Sequence, residues 1–384
     1  MTVYFDNAAT TPIHPKVFEK MIPYLKEEFG NASSIHSFGR KTRVAIEESR
    51  EVVADFINAN PSEIYFTSGG TESNNFVIMG IAKTEFAESG RNHIITSKAE
   101  HHCILDSCVD LEKNGFALSL VGTLQDTSID NSKIPDLINS QTSLLSIIHI
   151  NNETGAINSI KEINELAKKN NLYFHSDTVQ SFGKVKIDVN ELGVDSICAS
   201  AHKINGPKGT GFAYVKSGTP LSPIIFGGSQ ERNRRGGTEN VAAIVGMAEA
   251  IKIADKTLTE SEHYVRTLRD EFMSGIRSIN KETIRINGGV SPSPYILSIT
   301  FDSRFYNNDA EAMLMYLDIN GIAASNGAAC TSGTLKPSHV ILSAGYSKED
   351  ANGTIRFSFG RENKLDEVAY ALDVLTKMEK KFRK

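Results

Sequence analysis

Apolar positions along this chain keep two rhythms that alternate. Short runs built mainly of Ile, Val, Leu, Phe and Ala fall near 62–66, 93–97, 116–121, 144–150, 172–177, 194–199 and 211–215, and their length and composition predict strands. The stretches between most of them carry helical spacing instead. Over 40–58, Val44, Val52, Val53, Phe56 and Ile57 stand among charged residues in the pattern of an amphipathic helix. Strands that alternate with helices predict an α/β domain with a mostly parallel seven-stranded sheet covered on both faces. Past about residue 255 the rhythm changes. Helices near 260–280, 308–320 and 362–380 surround strands near 296–301 and 354–359, which predicts a smaller α+β domain. No internal repeat, low-complexity tract or flexible linker marks the transition.

At 384 residues the chain is too long for one small core, in agreement with two domains. Its 41 basic and 46 acidic residues leave a net charge of -5, which argues against a generally basic nucleic-acid surface. The local cluster of Arg232, Arg234 and Arg235 then reads as a solvated or interface patch. No apolar run approaches membrane length, and Tyr4, Phe5 and Asp6 follow at once without the basic start and long apolar stretch of a signal peptide. The cysteines Cys103, Cys108, Cys198 and Cys330 form no Cys-x-x-Cys pair, so a reducing cytoplasm is expected rather than a disulfide framework.

The candidate chemistry begins in Ser200-Ala201-His202-Lys203-Ile204-Asn205-Gly206-Pro207. The strand predicted over 194–199 ends here and Gly206-Pro207 forces a turn, so Lys203 stands at a strand-to-loop junction, where α/β sheets carry their sites. Burial there would disfavour the charged form and leave an amine able to form an imine. By itself, a lysine beside a turn is an ordinary surface residue. Two other segments change that reading. Leu172–Asp177 predicts a strand closing on a carboxylate that could pair with a pyridinium nitrogen, and Gln180 could donate to a ring's phenolic oxygen; the plain alternatives are a capping aspartate and a solvated glutamine. Ile64 to Asn74 reads as strand, glycine turn and helix, whose free N–H groups bind anions, with Gly69 and Gly70 allowing close approach and Thr71 offering a hydroxyl. An imine-forming lysine, a ring-nitrogen partner and a phosphate site together point to pyridoxal phosphate.

Three further residues carry chemistry. Cys330 lies in Ser325-Asn326-Gly327-Ala328-Ala329-Cys330-Thr331-Ser332-Gly333, a run of small residues unlike a packed core segment, where a thiol could act as a nucleophile. Cys198, in an apolar strand, reads as a small hydrophobe. His101 follows the strand at 93–97. A metal cluster of His101, His102, Cys103 and Cys108 is chemically eligible, but its spacing lacks the separated ligand pairs of a structural zinc site, so no metal is expected and His102 and Cys103 read as ordinary first-turn helix residues. Arg356, in the strand at 354–359, could clamp a carboxylate with its planar fork, or form a structural ion pair.

Asp6-Asn7-Ala8-Ala9-Thr10-Thr11-Pro12, Gly30-Asn31-Ala32-Ser33-Ser34-Ile35-His36, Thr67 to Asn75, the Lys203 segment, Arg235-Gly236-Gly237-Thr238-Glu239-Asn240, Ala329-Cys330-Thr331-Ser332 and Ile355 to Arg361 occur in the order seen in one family. The chain resembles, over essentially its whole length, the cysteine desulfurases of the nitrogen-fixation and iron–sulfur-cluster type. The resemblance implies a fold type I pyridoxal phosphate enzyme and a homodimer, with a large domain over 14–255. Residues 1–13 and 256–384 would form the small domain, carrying the cysteine loop at about 322–335. It implies removal of sulfur from L-cysteine to leave alanine and a persulfide on Cys330, with Lys203 as the imine lysine and His101 stacking on the cofactor and passing protons. The cofactor contacts would be Gly70, Thr71, Asn152, Asp177, Gln180, Ser200, His202 and Lys203, with Thr238 reaching the phosphate of the partner subunit; Asn31, Asn152 and Arg356 would receive the substrate. Sulfur would pass to an iron–sulfur scaffold, a tRNA-thiolation protein or another acceptor protein, without direct contact to nucleic acid. Ala328 and Asn326 depart from the family's usual loop residues, which bears on persulfide stabilisation or partner choice. A selenocysteine lyase, or another β-lyase or aminotransferase with the same cofactor, would not need Cys330. A catalytically idle scaffold would need none of Lys203, Asp177 and Cys330.

Overall fold

A computed structural model of the chain describes residues 1–327 and 336–384. Among these residues twelve strands form three sheets: β1 (Val3–Tyr4), β2 (Ile64–Thr67), β3 (His93–Ser97), β4 (Ala117–Val121), β5 (Thr142–Ser146), β6 (Tyr173–Asp177), β7 (Ser196–Ser200), β8 (Gly211–Val215), β9 (Ile284–Ile286), β10 (Ile296–Phe301), β11 (Ile322–Ala323) and β12 (Thr354–Ser358). The large sheet has seven strands in the order β2-β8-β7-β6-β5-β3-β4. It is parallel except at β8, which runs antiparallel to both β2 and β7. Every residue of β3, β5, β7 and β8 is buried. Helices cover both faces of such a sheet, so its strands read as continuous apolar runs instead of alternating ones. The edge strand β4 is the exception, with exposed positions at Ala117 and Leu120.

The run predicted at 144–150 ends earlier as a strand, at Ser146. Ile147 and His149 still donate to the carbonyls of His175 and Asp177, but Asn151 then closes a turn by accepting from the N–H groups of Glu153 and Thr154 with its own side chain. The helix expected over 40–58 spans Ser37–Ile57, because the His36 ring caps it by accepting from Gly39 N–H and Asn58 stops it in the left-handed conformation at φ 58°. Val44 does not join its buried stripe and is 55% exposed, whereas Ile46, Val53 and Ile57 are buried.

The second sheet is antiparallel in the order β12-β10-β9, of which β9 was not anticipated. β1 joins β11, and Asp6 bridges to Ser358, so the first residues of the chain lie against its last third. The helix expected near 260–280 begins at Val241 and runs to Asn280, started by Asn240 Oδ1 accepting from Ala243 N–H. Its first half packs Ile244, Met247 and Ile251 into the core beneath the large sheet, and its second half packs Val265, Leu268, Phe272 and Ile276 into a separate core with β10 and β12. Residue 255 lies between these two halves. The polar stretch around Asp255 to Glu262 breaks the apolar rhythm there without breaking the helix. In the second core Phe272 meets Phe357 and Phe5 at ring-centroid distances of 4.9 and 5.7 Å. Each such fully buried ring contributes about 1.5–3 kcal/mol by transfer from water.

Candidate active site

Asp177 is the last residue of β6 and Ser200 the last of β7, so both stand at the carboxyl edge of adjacent parallel strands, where side chains leave the ladder and backbone groups become free to bind. A single 3₁₀ turn, Ala201–Lys203, then carries Lys203 over the sheet edge. Its Nζ donates to the carbonyls of Ala8 and Ala9 at 2.5 and 2.8 Å. The segment holding those carbonyls is fixed in turn by Thr11, whose N–H and hydroxyl both donate to the His202 carbonyl. Burial, then the nearby Arg356 cation, lowers the Lys203 amine to about 8, against the pull of Asp6 and Asp177. A sizeable fraction of it is therefore neutral near physiological pH.

Asp177 is buried and its carboxylate is aimed by two donors: the Asn74 amide at 2.9 Å and the Val179 N–H at 2.9 Å. Because a carboxylate only accepts, Asn74 must turn Nδ2 toward it and Oδ1 away. Oδ1 then receives His175 Nε2 at 2.9 Å and the Cys198 thiol at 2.8 Å, and His175 Nδ1 lies 3.0 Å from Ser196 Oγ. Burial lowers His175 to about 4, so the ring is neutral, with its proton on Nε2 toward Asn74 and Nδ1 accepting from Ser196. One chain of hydrogen bonds, Ser196 to His175 to Asn74 to Asp177, thus has a single direction. Neither Asn74 nor His175 stood out in the sequence, where they look like a helix-surface amide and a strand histidine.

Opposite this carboxylate, the helix Gly70–Ser89 presents its N-terminus. Gly69 has φ +149°, and a Cβ on Gly70 would come within 2.7 Å of Val179 Cγ2, so the glycine pair is a steric requirement of the cradle. Glu72, in the first turn of that helix, is held by Arg235 Nε at 2.7 Å.

His101 caps the helix His102–Lys113. Its Nδ1 accepts from Cys103 N–H at 3.1 Å and lies 3.0 Å from Cys103 Sγ, which leaves the hydrogen of the neutral ring on Nε2. Burial lowers its pKa, with Asp177 opposing. Cys103 is accordingly more than a first-turn helix residue: its thiol lines the site, with burial holding it well above the ordinary thiol range. Cys108 packs instead in the core with Phe76 and Leu111. Among the described residues no three His, Cys, Asp or Glu side chains converge as metal ligands would.

Arg356 is buried on β12, its Nη1 donating to the Asn152 carbonyl and its Nη2 to Asp6 Oδ1, both at 2.8 Å. Its Nε is buried and has no hydrogen-bond partner among the described residues. With Asp6 covering only one corner of its fork, the guanidinium lines the cavity as a cation that could meet a carboxylate.

These groups enclose one cavity of about 560 Å³. It brings together Gly70, Thr71, His101, Asn152, Asp177, Gln180, Ser200, His202, Lys203 and Arg356. Two expected residues do not line it in this chain: Asn31 is exposed and spends its side chain on Ser33 N–H, while Thr238 lines a separate cavity of about 230 Å³ with Thr67 and Arg235. Asn326 and Gly327 line the main cavity, whereas Ala328 and Cys330 lie outside the described residues.

Pyridoxal phosphate matches the donors present: the glycine cradle at a helix N-terminus could hold its phosphate, Asp177 its ring nitrogen and Lys203 its carbonyl carbon. An amine kept partly neutral across a cavity from an oriented carboxylate, both at the carboxyl edge of a mostly parallel sheet, defines the class as pyridoxal phosphate-dependent enzymes of fold type I. Within that class the chain belongs to the aminotransferase class-V family, whose pattern it matches over residues 3–370. It is 45% identical to the cysteine desulfurase IscS of Dictyoglomus turgidum over 99% of this chain and 95% of the relative. With the cysteine desulfurase IscS of Methanosarcina thermophila it shares 41% identity over 99% and 93%. A solved NifS-like protein superposes with a TM-score of 0.89 at 34% identity over 99% of both chains. The structure of SspA in complex with cysteine does so with a TM-score of 0.80 at 33% identity, covering 94% of this chain and all of that one.

Proposed function

We propose that this chain is a cysteine desulfurase that converts L-cysteine to L-alanine and takes the sulfur onto Cys330 as a persulfide, for delivery to an iron–sulfur scaffold or another acceptor protein. The observation that carries the reading is the convergence of Lys203, Asp177 and Arg356 on one cavity, in a chain similar over its full length to cysteine desulfurases.

When bound, pyridoxal phosphate supplies an electron sink for charge developing at the substrate's α carbon. Asp177 keeps a proton on the ring nitrogen, and the Asn74 amide prevents its carboxylate from turning away. Arg356 receives the substrate α-carboxylate and holds the α carbon toward Lys203. Lys203 Nζ, partly neutral, takes the α proton. His101 Nε2–H is the group poised to move a proton at the substrate's sulfur. The Cys330 thiolate attacks that sulfur: a new S–S bond forms, the substrate's C–S bond breaks with its electron pair left on carbon, the β carbon takes up a proton, and a proton returned to the α carbon completes alanine.

The same reading makes the enzyme a homodimer. Thr238, set apart from its own chain's main cavity, serves the phosphate of the partner subunit, and the exposed Phe29, Ile35 and Phe38 supply apolar surface for the contact. The division into 14–255 and 1–13 with 256–384 is supported by the hydrophobic clusters: two lie within 14–255, and a third joins Val3, Phe5 and Ala8 to apolar residues from Val265 to Met378. The described cysteines are free thiols, which fits a reducing cytoplasm, and among the described residues no helix is long and apolar enough to cross a membrane.

The test mixes the purified protein with L-cysteine and assays alanine together with the mass of the Cys330 peptide. One added sulfur on that peptide, formed with alanine, is expected. Alanine release at the wild-type rate by Cys330→Ser would overturn the persulfide mechanism in favour of a β-lyase.

A further inference from the structure

Lys184 is a buried cation that none of the chemistry above uses. It is 6% exposed, and its amine lies 5.5 Å above the ring of Tyr295. It lines a small cavity of about 60 Å³ that it shares with Lys203, while Gln180 and Lys203 line the main one. The charged groups acting on Lys184 are Lys203 and Arg356, both cations, and no carboxylate among the described residues forms an ion pair with it. A buried ammonium without a counter-ion costs the fold several kcal/mol. Burial and the two cations lower its pKa to about 7, yet its nitrogen still makes one well-placed contact, donating to Gln180 Oε1 at 3.1 Å.

That contact and the Ala8 carbonyl together hold the Gln180 amide in one orientation. The Ala8 carbonyl only accepts, so Nε2 faces it at 2.9 Å, and Oε1 is left to accept from the Lys184 amine. The same Ala8 carbonyl accepts from Lys203 Nζ. Lys184, Gln180, Ala8 and Lys203 therefore form one hydrogen-bonded row, with the donor end of the amide on the side of the main cavity. Exchanging the amide's two ends would set Oε1 against the Ala8 carbonyl and lose the bond from Lys184.

We propose that Lys184 is a positioning residue for the cofactor's phenolic oxygen: by donating to Oε1 it locks the Gln180 amide with Nε2 on the side of that oxygen. The inference rests on the pyridoxal phosphate reading and on Gln180 as the neighbour of the phenolic oxygen. A more strongly stabilised negative oxygen holds less tightly the proton it shares with the Lys203 nitrogen. Lys184 thus lowers the pH at which that proton leaves, and its removal raises it.

The measurement is the pH midpoint of the visible absorption band of the full-length protein loaded with pyridoxal phosphate. Lys184→Met should raise the midpoint by about one pH unit. Gln180→Leu should raise it similarly, and adding Lys184→Met to Gln180→Leu should move it little further, because Lys184 acts through the amide. Lys184→Gln, which keeps a donor without the charge, is the second variant should the methionine protein fail to fold, and a smaller shift in the same direction is expected of it. A midpoint that stays within about 0.2 unit of wild type in the folded variant overturns the proposal, as does a Lys184→Met shift that persists in full beside Gln180→Leu. A wild-type protein that develops no visible band with pyridoxal phosphate overturns the functional reading, and this inference with it, whereas a normal band with an unmoved midpoint overturns the inference alone.

Discussion

Replacing Asn74 with alanine removes the joint of the hydrogen-bonded chain that aims Asp177. Asn74 is fully buried, donating to the Asp177 carboxylate at 2.9 Å and accepting from His175 Nε2 at 2.9 Å. The first bond involves a charged group, so its loss costs about 1.5–3 kcal/mol, and leaving the buried His175 N–H without an acceptor costs about 1–3 kcal/mol more. A water entering the vacated space could recover part of this, so a net loss of about 3–4 kcal/mol is expected, large against the whole stability of a typical domain. Function should suffer separately. Freed from the amide, the Asp177 carboxylate keeps the Val179 N–H and a long contact from the Cys198 thiol, both on Oδ1, and can rotate off the ring nitrogen, so turnover should fall by ~100-fold or more while cofactor still binds through the cradle and Lys203. Urea unfolding followed by far-UV circular dichroism measures the first effect, since the chain has no tryptophan, and alanine production by the cofactor-loaded variant measures the second. A variant that unfolds within about 0.5 kcal/mol of wild type and turns over at the wild-type rate would refute the argument that this amide orients Asp177.

Other outcomes follow from the same geometry. With the Lys203 amine lowered to about 8, loading of the apoenzyme with pyridoxal phosphate should speed up as pH rises through about 8 and then level off, because only the neutral amine attacks; a rate that climbs unchanged to pH 10.5 would mean an unperturbed lysine. Arg356→Lys should raise the KM for L-cysteine ~10-fold or more, since a point charge cannot serve Asn152, Asp6 and a carboxylate at once, and steady-state kinetics with an unchanged KM would remove the clamp. Limited iodoacetamide treatment followed by peptide mapping should modify Cys330 well before Cys103, Cys108 or Cys198, whose burial raises all three thiols above their ordinary range; faster labelling of Cys198 would contradict its place inside β7.

Most of the architecture was legible in the sequence because its signals are local. The strands at 93–97, 211–215 and 296–301 stand where their apolar runs predict, since burial on both faces demands uninterrupted apolar residues. Lys203, Asp177 and Gly70 could be picked out because each sits where a strand gives way to a turn or a helix, and that transition is written in neighbouring residues. The antiparallel direction of β8 was not legible, because an apolar run has no sense of direction until it is paired. Nor was the unbroken helix Val241–Asn280, whose polar middle belongs to neither core and so carries no apolar stripe. The partners that aim the chemistry lay furthest from view. Asn74 lies 103 residues from Asp177, and Asp6 lies 350 residues from Arg356. Such pairs leave no spacing to read, because a hydrogen bond depends on where the folded chain brings two atoms and not on how much chain lies between them. The chain by itself therefore determined which chemical groups are present and at which element ends they stand, while the tertiary structure decided which of them are buried, which way each amide and imidazole faces, and so which one holds a proton.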